Sequence, residues 1–147
     1  MPKITWFVKK AVEDAYTPSN DYYYGSINGN NTTSIYIQVW NNYQGTTAQN
    51  DMKNAKLVIK TLNLDDSYLF DHISVRVDNI TKTLVKYSDI KYGVTIGTLS
   101  GAINNGSESV QSNLVTKNMC NIELIINGVN HKVKDDIKNL ILNIESE

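Results

Sequence analysis

Apolar and polar residues alternate with a period of two along much of this chain, the pattern of a strand with one face in a core. In SIYIQVW (34–40), Ile35, Ile37 and Val39 share one face, while Tyr36, Gln38 and Trp40 share the other. In DHISVRVD (71–78), Ile73, Val75 and Val77 point one way and Ser74, Arg76 and Asp78 the other. KITWFVKK near the start places Ile4, Trp6 and Val8 on one side. AKLVIKT, TKTLVKY, CNIELIIN, VNHKVK and NLILNIE are further predicted strands.

Turn-forming residues separate these runs: TPSND, NGNNT, NNYQGTT, NLDDS, GAINNGS and ING. The clearest hairpin signal is Asn127-Gly128 between Ile126 and Val129, because a two-residue type I′ turn needs positive φ at both central positions. That turn would set Leu124 opposite His131. Helix signals are few. AVEDAY is long enough only for a turn, and AQNDMKNAKL holds at most one helical turn capped by Asn50 or Asp51. HKVKDDIKNLIL competes as a helix, since Val133, Ile137, Leu140 and Ile141 fall at helical spacing. The strand reading is preferred there, because NLILNIE continues as an apolar run and Asp135-Asp136 suits a turn.

Eight to ten short strands at intervals near ten residues predict an all-β chain: an antiparallel β-sandwich of Ig-like or jelly-roll type. Residues 1–147 form one domain in this reading, without an internal repeat or linker. TLSGAINNGSESVQSNLVTK (98–117) is long for a connection, and is expected to be a contact loop or an irregular strand pair. Its small residues would let it lie flat against a neighbour.

Composition narrows the function. The net charge of −1 is spread evenly, and Arg76 is the one arginine, so the clustered cations that read phosphate are missing and no nucleic-acid partner is expected. No apolar run reaches the roughly 20 residues of a membrane span, and no membrane partner is expected. MPKITWFVKKAVED lacks the form of a signal peptide, its apolar run being interrupted by Lys9 and Lys10, so synthesis without a classical export signal is expected. Asparagine is abundant, as in proteins from genomes rich in A and T, and on that reading the N-x-S/T matches at Asn30, Asn31, Asn79 and Asn105 arise by chance.

Motifs for catalysis are missing. There is no G-x-S-x-G elbow, phosphate-binding loop or dinucleotide fingerprint, and Asp71 and His72 are strand neighbours that point to opposite faces. The protein is therefore expected not to be an enzyme and to need no cofactor. Cys120, His72 and His131 cannot close a zinc site without carboxylates. Cys120 is the single cysteine and sits in an apolar run, so a buried, inert thiol is expected. Asp65, Asp66 and Asp71 could gather calcium, although Asp and Asn in such loops more often bond local backbone, and no metal is expected.

The aromatic residues carry the remaining signal. Tyr22, Tyr23, Tyr24, Tyr36, Trp40 and Tyr43 crowd into one segment. If Ile35, Ile37 and Val39 face the core, Trp40 lies on the opposite face, where a large ring suggests a contact. A strand buried on both faces would also account for it. Residues 22–43 and 100–112 are expected at a protein–protein interface, with Trp40 and Tyr43 as anchors and Ile103 as the one large side chain of the loop tip. The same aromatics fit a carbohydrate-binding module, in which exposed rings stack on sugars.

The succession YYYGSINGNNTTSIYIQVWNNYQG, DMKNAKLVIKT and LFDHISVRVD resembles small β-sandwich virion proteins encoded by tailed phages. The resemblance covers roughly residues 16–78 and is one of style, resting on no single motif. It implies a structural role in capsid decoration, a head fibre, the neck or the tail. It further implies assembly in the host bacterial cytoplasm, with other virion proteins or copies of itself as partners. A carbohydrate-binding sandwich with a glycan partner is the alternative.

Overall fold

The alternating runs take strand form in a computed structural model, which describes residues 2–9, 11–19, 22–23, 32–61, 70–111, 116–127 and 140–146. In chain order the strands are β1 (Ile4–Lys9), β2 (Thr17–Ser19), β3 (Tyr22–Tyr23), β4 (Thr33–Asn41), β5 (Met52–Thr61) and β6 (Ile73–Val77). They continue with β7 (Ile80–Lys82), β8 (Val85–Ser88), β9 (Lys91–Leu99), β10 (Met119–Ile126) and β11 (Leu140–Glu145), with one helical turn, α1 (Glu108–Gln111), before β10. Two sheets result, ordered β2-β1-β4-β10-β6-β7 and β3-β11-β5-β9-β8. Every neighbouring pair within them is antiparallel. The chain passes from one sheet to the other between β2 and β3, β3 and β4, β4 and β5, β5 and β6, β7 and β8, β9 and β10, and β10 and β11.

The sheets face each other across the residues that the period-two pattern sets aside. Ile35, Ile37 and Val39 of β4 pack with Ile122, Leu124 and Ile126 of β10 and with Ile73, Val75 and Val77 of β6. The facing sheet contributes Ala55, Leu57 and Ile59 of β5, Val94 and Leu99 of β9, and Leu142 and Ile144 of β11. Each large aliphatic side chain buried this way contributes roughly 1.5–3 kcal/mol, which makes the chain a β-sandwich held by its inter-sheet core.

Several local expectations need correction. KYGVTIGTL is a full strand, β9, although Gly93 and Gly97 interrupt its pattern. TPS is strand rather than turn: among the described residues β2 pairs with β1 alone, and Pro18 is tolerated on such an edge strand. TKTLVKY divides at Thr83-Leu84, β7 ending one sheet and β8 the other, so its continuous alternation spans a change of sheet. AQNDMKNAKL contains no helical turn. Residues 48–51 are irregular, β5 starts at Met52, and a register shift at Asn54, where φ is 50°, absorbs the irregularity as a bulge.

Other expectations match. AVEDAY forms a turn closed by the Asp14 amide donating to the Ala11 carbonyl, and LILNIE, the described part of NLILNIE, is a strand. The proposed partners of Asn127, the loop holding Asp65 and Asp66, and the stretch with His131, Val133 and Ile137 lie outside the described residues.

Cys120 is buried in the core, and burial followed by the nearby Asp78 carboxylate pushes its thiol pKa well above the ordinary 9.0, Lys117 opposing. Two results are expected. A thiol reagent should label Cys120 only in denaturant. In addition, the folded state keeps the proton that the unfolded chain loses, so stability is intact below the ordinary thiol pKa and declines above it, by up to about 1.4 kcal/mol per pH unit. Urea unfolding of wild type and Cys120→Ala across that range checks the second result. An identical slope in both proteins would assign the loss to other groups.

Candidate binding face

Because inward and outward residues alternate, the outer face of the six-stranded sheet is built from Ser34, Tyr36, Gln38 and Trp40 of β4, Asn121 and Glu123 of β10, and Ser74 and Arg76 of β6. Cross-strand register sets Trp40 beside Met119, Gln38 beside Asn121, and Tyr36 beside Glu123, which in turn faces Arg76.

Trp40 is on the face that parity assigns to it, but the chain covers it. It is 1% exposed, and together with Met119 it is buried outside the inter-sheet core. Its indole N–H donates to Gln38 Oε1 at 2.8 Å, and the Tyr43 ring meets it edge-on with centroids 5.0 Å apart. Phe7 packs on Tyr43 in the same manner at 5.1 Å. The expectation of Trp40 as an exposed anchor for another protein is therefore corrected. The turn after β4 folds Tyr43 back over it.

A cluster of asparagine amides secures that turn. Asn41 Nδ2 donates to the carbonyls of Asn50 (2.9 Å) and Leu99 (3.0 Å), while its Oδ1 accepts from the Lys3 amide. Asn42, at φ 59°, donates to the carbonyls of Thr47 and Gly101, both at 2.9 Å. Asn118 Nδ2 donates to the Ser100 and Ala102 carbonyls at 2.7 and 2.8 Å. Asn104 accepts from the amides of Gln44 and Gly106 and donates to the Asn42 carbonyl. Gly101 allows a close backbone approach, since a Cβ there would collide with the Gln49 carbonyl. The small residues around Gly101 in the 98–117 segment lie against the chain's own β4–β5 turn, Gly101 accepting from Asn42 and from the Gln49 amide, and Asn104 donating to the Asn42 carbonyl.

The same segment delivers α1 to the sheet. Glu108 Oε1 accepts from Asn121 Nδ2 at 2.7 Å and its Oε2 from Gln38 Nε2 at 3.2 Å, so one carboxylate bridges β4 and β10. Beyond it, Arg76 pairs with Glu123 at 3.5 Å, and Ser34 Oγ donates to the second Glu123 oxygen at 2.9 Å. Tyr16, from the turn after β1, completes this row. Lys9 Nζ sits 4.4 Å from the centre of its ring and 6.0 Å from that of Tyr36. Tyr16, Tyr36, Arg76, Asn79, Asn121 and Glu123 enclose an open depression of about 110 Å³. Burial, then the Glu108 charge and then Tyr36 raise the Tyr16 hydroxyl above its ordinary pKa.

The other expected contact residues are dispersed. Tyr22 and Tyr23 form β3 at the edge of the five-stranded sheet, and Tyr24 lies outside the described residues. Tyr43 is half-buried, and Ile103 is 62% exposed at the loop tip. Among the described members of the expected group, Tyr36 is the one that lines the depression. Tyr16, Arg76, Asn121, Glu123 and Glu108 escaped notice. Outward parity for Arg76 and Glu123 is readable, but their meeting depends on the order β4-β10-β6, which joins distant segments.

His72 is half-buried and Asp71 exposed beside the buried Phe70. Among the described residues, no group of three or more His, Cys, Asp or Glu side chains is placed to hold a metal ion, and no helix is long and apolar enough to cross a membrane. Comparison of the chain with protein-family models, curated proteins and solved structures finds no significant match.

Proposed function

We propose that the protein is a non-catalytic structural component that acts through protein–protein contact, a virion part of the kind its sequence resembles, and that a second copy of the chain occupies the corner formed by residues 80–88. The observation that carries this reading is the exposure of that corner. β7 and β8 end their respective sheets, and every residue of both strands is exposed. Ile80, Val85 and Tyr87 are 60%, 47% and 48% exposed there, whereas isolated apolar residues are the norm on a monomer surface.

Charge supports a copy of the chain as the occupant. Lys82, Lys86 and Asp89 put both signs on the corner, with Lys86 and Asp89 already 3.2 Å apart, so a two-fold axis can set each beside its opposite. The register shift between Lys86 and Ser88 bulges β8 at Tyr87. Such a bulge blunts open-ended strand addition and favours a closed pair over a fibre.

Sedimentation velocity is the test. Wild type is expected to dimerise with concentration, and Ile80→Lys combined with Val85→Lys to remain monomeric with an unchanged circular dichroism spectrum. A wild type that stays monomeric up to its solubility limit, or a double variant that still dimerises, would rule the contact out.

A further inference from the structure

The depression on the outer face of the six-stranded sheet borders the β6–β7 turn at Asn79, and its lining is specific enough to name a ligand class. We propose that it binds one ring of a neutral saccharide, with Tyr16 and Tyr36 against the ring and the Arg76–Glu123 pair and Asn121 on its hydroxyls.

The walls combine two chemistries that few ligands match together. Two tyrosine rings supply apolar surface whose π-electron faces attract the polarised C–H groups of a pyranose. The Arg76 guanidinium, the Glu123 carboxylate and the Asn121 amide line the same depression and offer both donors and acceptors. A vicinal diol, each hydroxyl both donor and acceptor, is the complement of such a pair.

Charge excludes the obvious competitors. Lys9 and Arg76 are balanced by Glu108 and Glu123, and Arg76 is already paired at 3.5 Å. A phosphate or carboxylate ligand would meet Glu123, and an amine would meet Arg76. Size points the same way. At about 110 Å³ the depression falls below the roughly 300–1,000 Å³ of pockets that enclose whole cofactors, and its openness to solvent suits one residue of a longer chain.

The site is also held in shape before any ligand arrives. Glu108 ties α1 to Gln38 and Asn121, Ser34 orients Glu123, and Lys9 is fixed by donating to the Val12 carbonyl at 3.1 Å. Pre-formed polar groups bind without the entropy cost of ordering them.

Amide chemical-shift mapping on the full-length protein tests the proposal. The probes are D-glucose, D-galactose, D-mannose, L-rhamnose and N-acetyl-D-glucosamine, with inorganic phosphate as the charged control. At least one sugar is expected to give saturable shifts centred on Tyr16, Tyr36, Arg76, Asn121 and Glu123. Tyr16→Ala, in a turn outside the inter-sheet core, should keep the spectrum of the folded protein and weaken that sugar roughly tenfold or more. The proposal is overturned if no sugar shifts these amides, if Tyr16→Ala binds as wild type does, or if phosphate moves the same amides as strongly.

Discussion

Near neutral pH, Asn42→Asp is expected to destabilise the protein more than Asn42→Ala, although aspartate has the shape of the residue it replaces. Asn42 is 2% exposed, and its amide nitrogen donates to the carbonyls of Thr47 and Gly101. Alanine leaves those acceptors without a donor, at roughly 1–3 kcal/mol for a buried group, and lacks the short polar side chain that lets asparagine tolerate φ 59°, for roughly 1–2 kcal/mol more. A total near 3 kcal/mol follows. Aspartate tolerates the backbone but turns a carboxylate oxygen toward two carbonyl oxygens in a site with little water, a cost of several kcal/mol.

The pH dependence separates the two variants. The buried carboxylate has a raised pKa, so the folded form holds a proton that the unfolded form releases above about pH 4. Stability of Asn42→Asp is thus retained below that value and lost as pH rises, and the gap between the variants narrows toward about pH 4. Urea unfolding at several pH values provides the measurement. Should Asn42→Asp match or exceed Asn42→Ala near neutrality, the carbonyl-binding role of this amide is wrong.

The amide cluster also changes what the asparagine content means. Composition reads as a genomic bias, and at Asn41, Asn42, Asn104 and Asn118 the structure finds a physical use. A side-chain amide offers the same acceptor and donors as a peptide group. It can therefore continue hydrogen bonding at the end of a sandwich, where the next strand has run out. Ser100, Gly101 and Ala102 are held by these groups, and α1 with Glu108 follows them to the binding face.

Strands were legible wherever one face meets the inter-sheet core and the other does not. β1, β4, β6, β10 and β11 follow from alternation, because a one-residue slip would send a whole apolar set into solvent. β9 was hidden by its glycines, whose reason is tertiary. At Gly93 a side chain would strike the Tyr87 ring, and Gly97, at φ 104°, sits where the register with β5 shifts. The change of sheet inside TKTLVKY is invisible because every residue of β7 and β8 is exposed, so no buried set marks where one sheet ends and the other begins. The depression was legible in part: Tyr36, Arg76 and Glu123 have outward parity, but Tyr16 belongs to no periodic run. What brings them together is the pairing order of strands distant in sequence.

Trp40 shows the limit of parity most directly, and Trp40→Ala is expected to cost about 3–5 kcal/mol in the isolated monomer, the range for truncating a buried aromatic. Alternation places the ring on the face away from Ile35, Ile37 and Val39, and the ring is there; what covers a face is decided by other segments. Here Tyr43 and Met119 cover it, and Gln38 satisfies its N–H. Trp40→Phe should lose less, since a ring remains against Tyr43 while Gln38 loses its buried donor. Chemical denaturation of both variants, followed by circular dichroism at low protein concentration, isolates the monomer from any assembly. If Trp40→Ala unfolds within about 1 kcal/mol of wild type yet fails to assemble, the ring works between molecules rather than within one. The opposite ordering, a large loss of monomer stability with Phe intermediate, is the result that the Gln38–Trp40–Tyr43 contacts require.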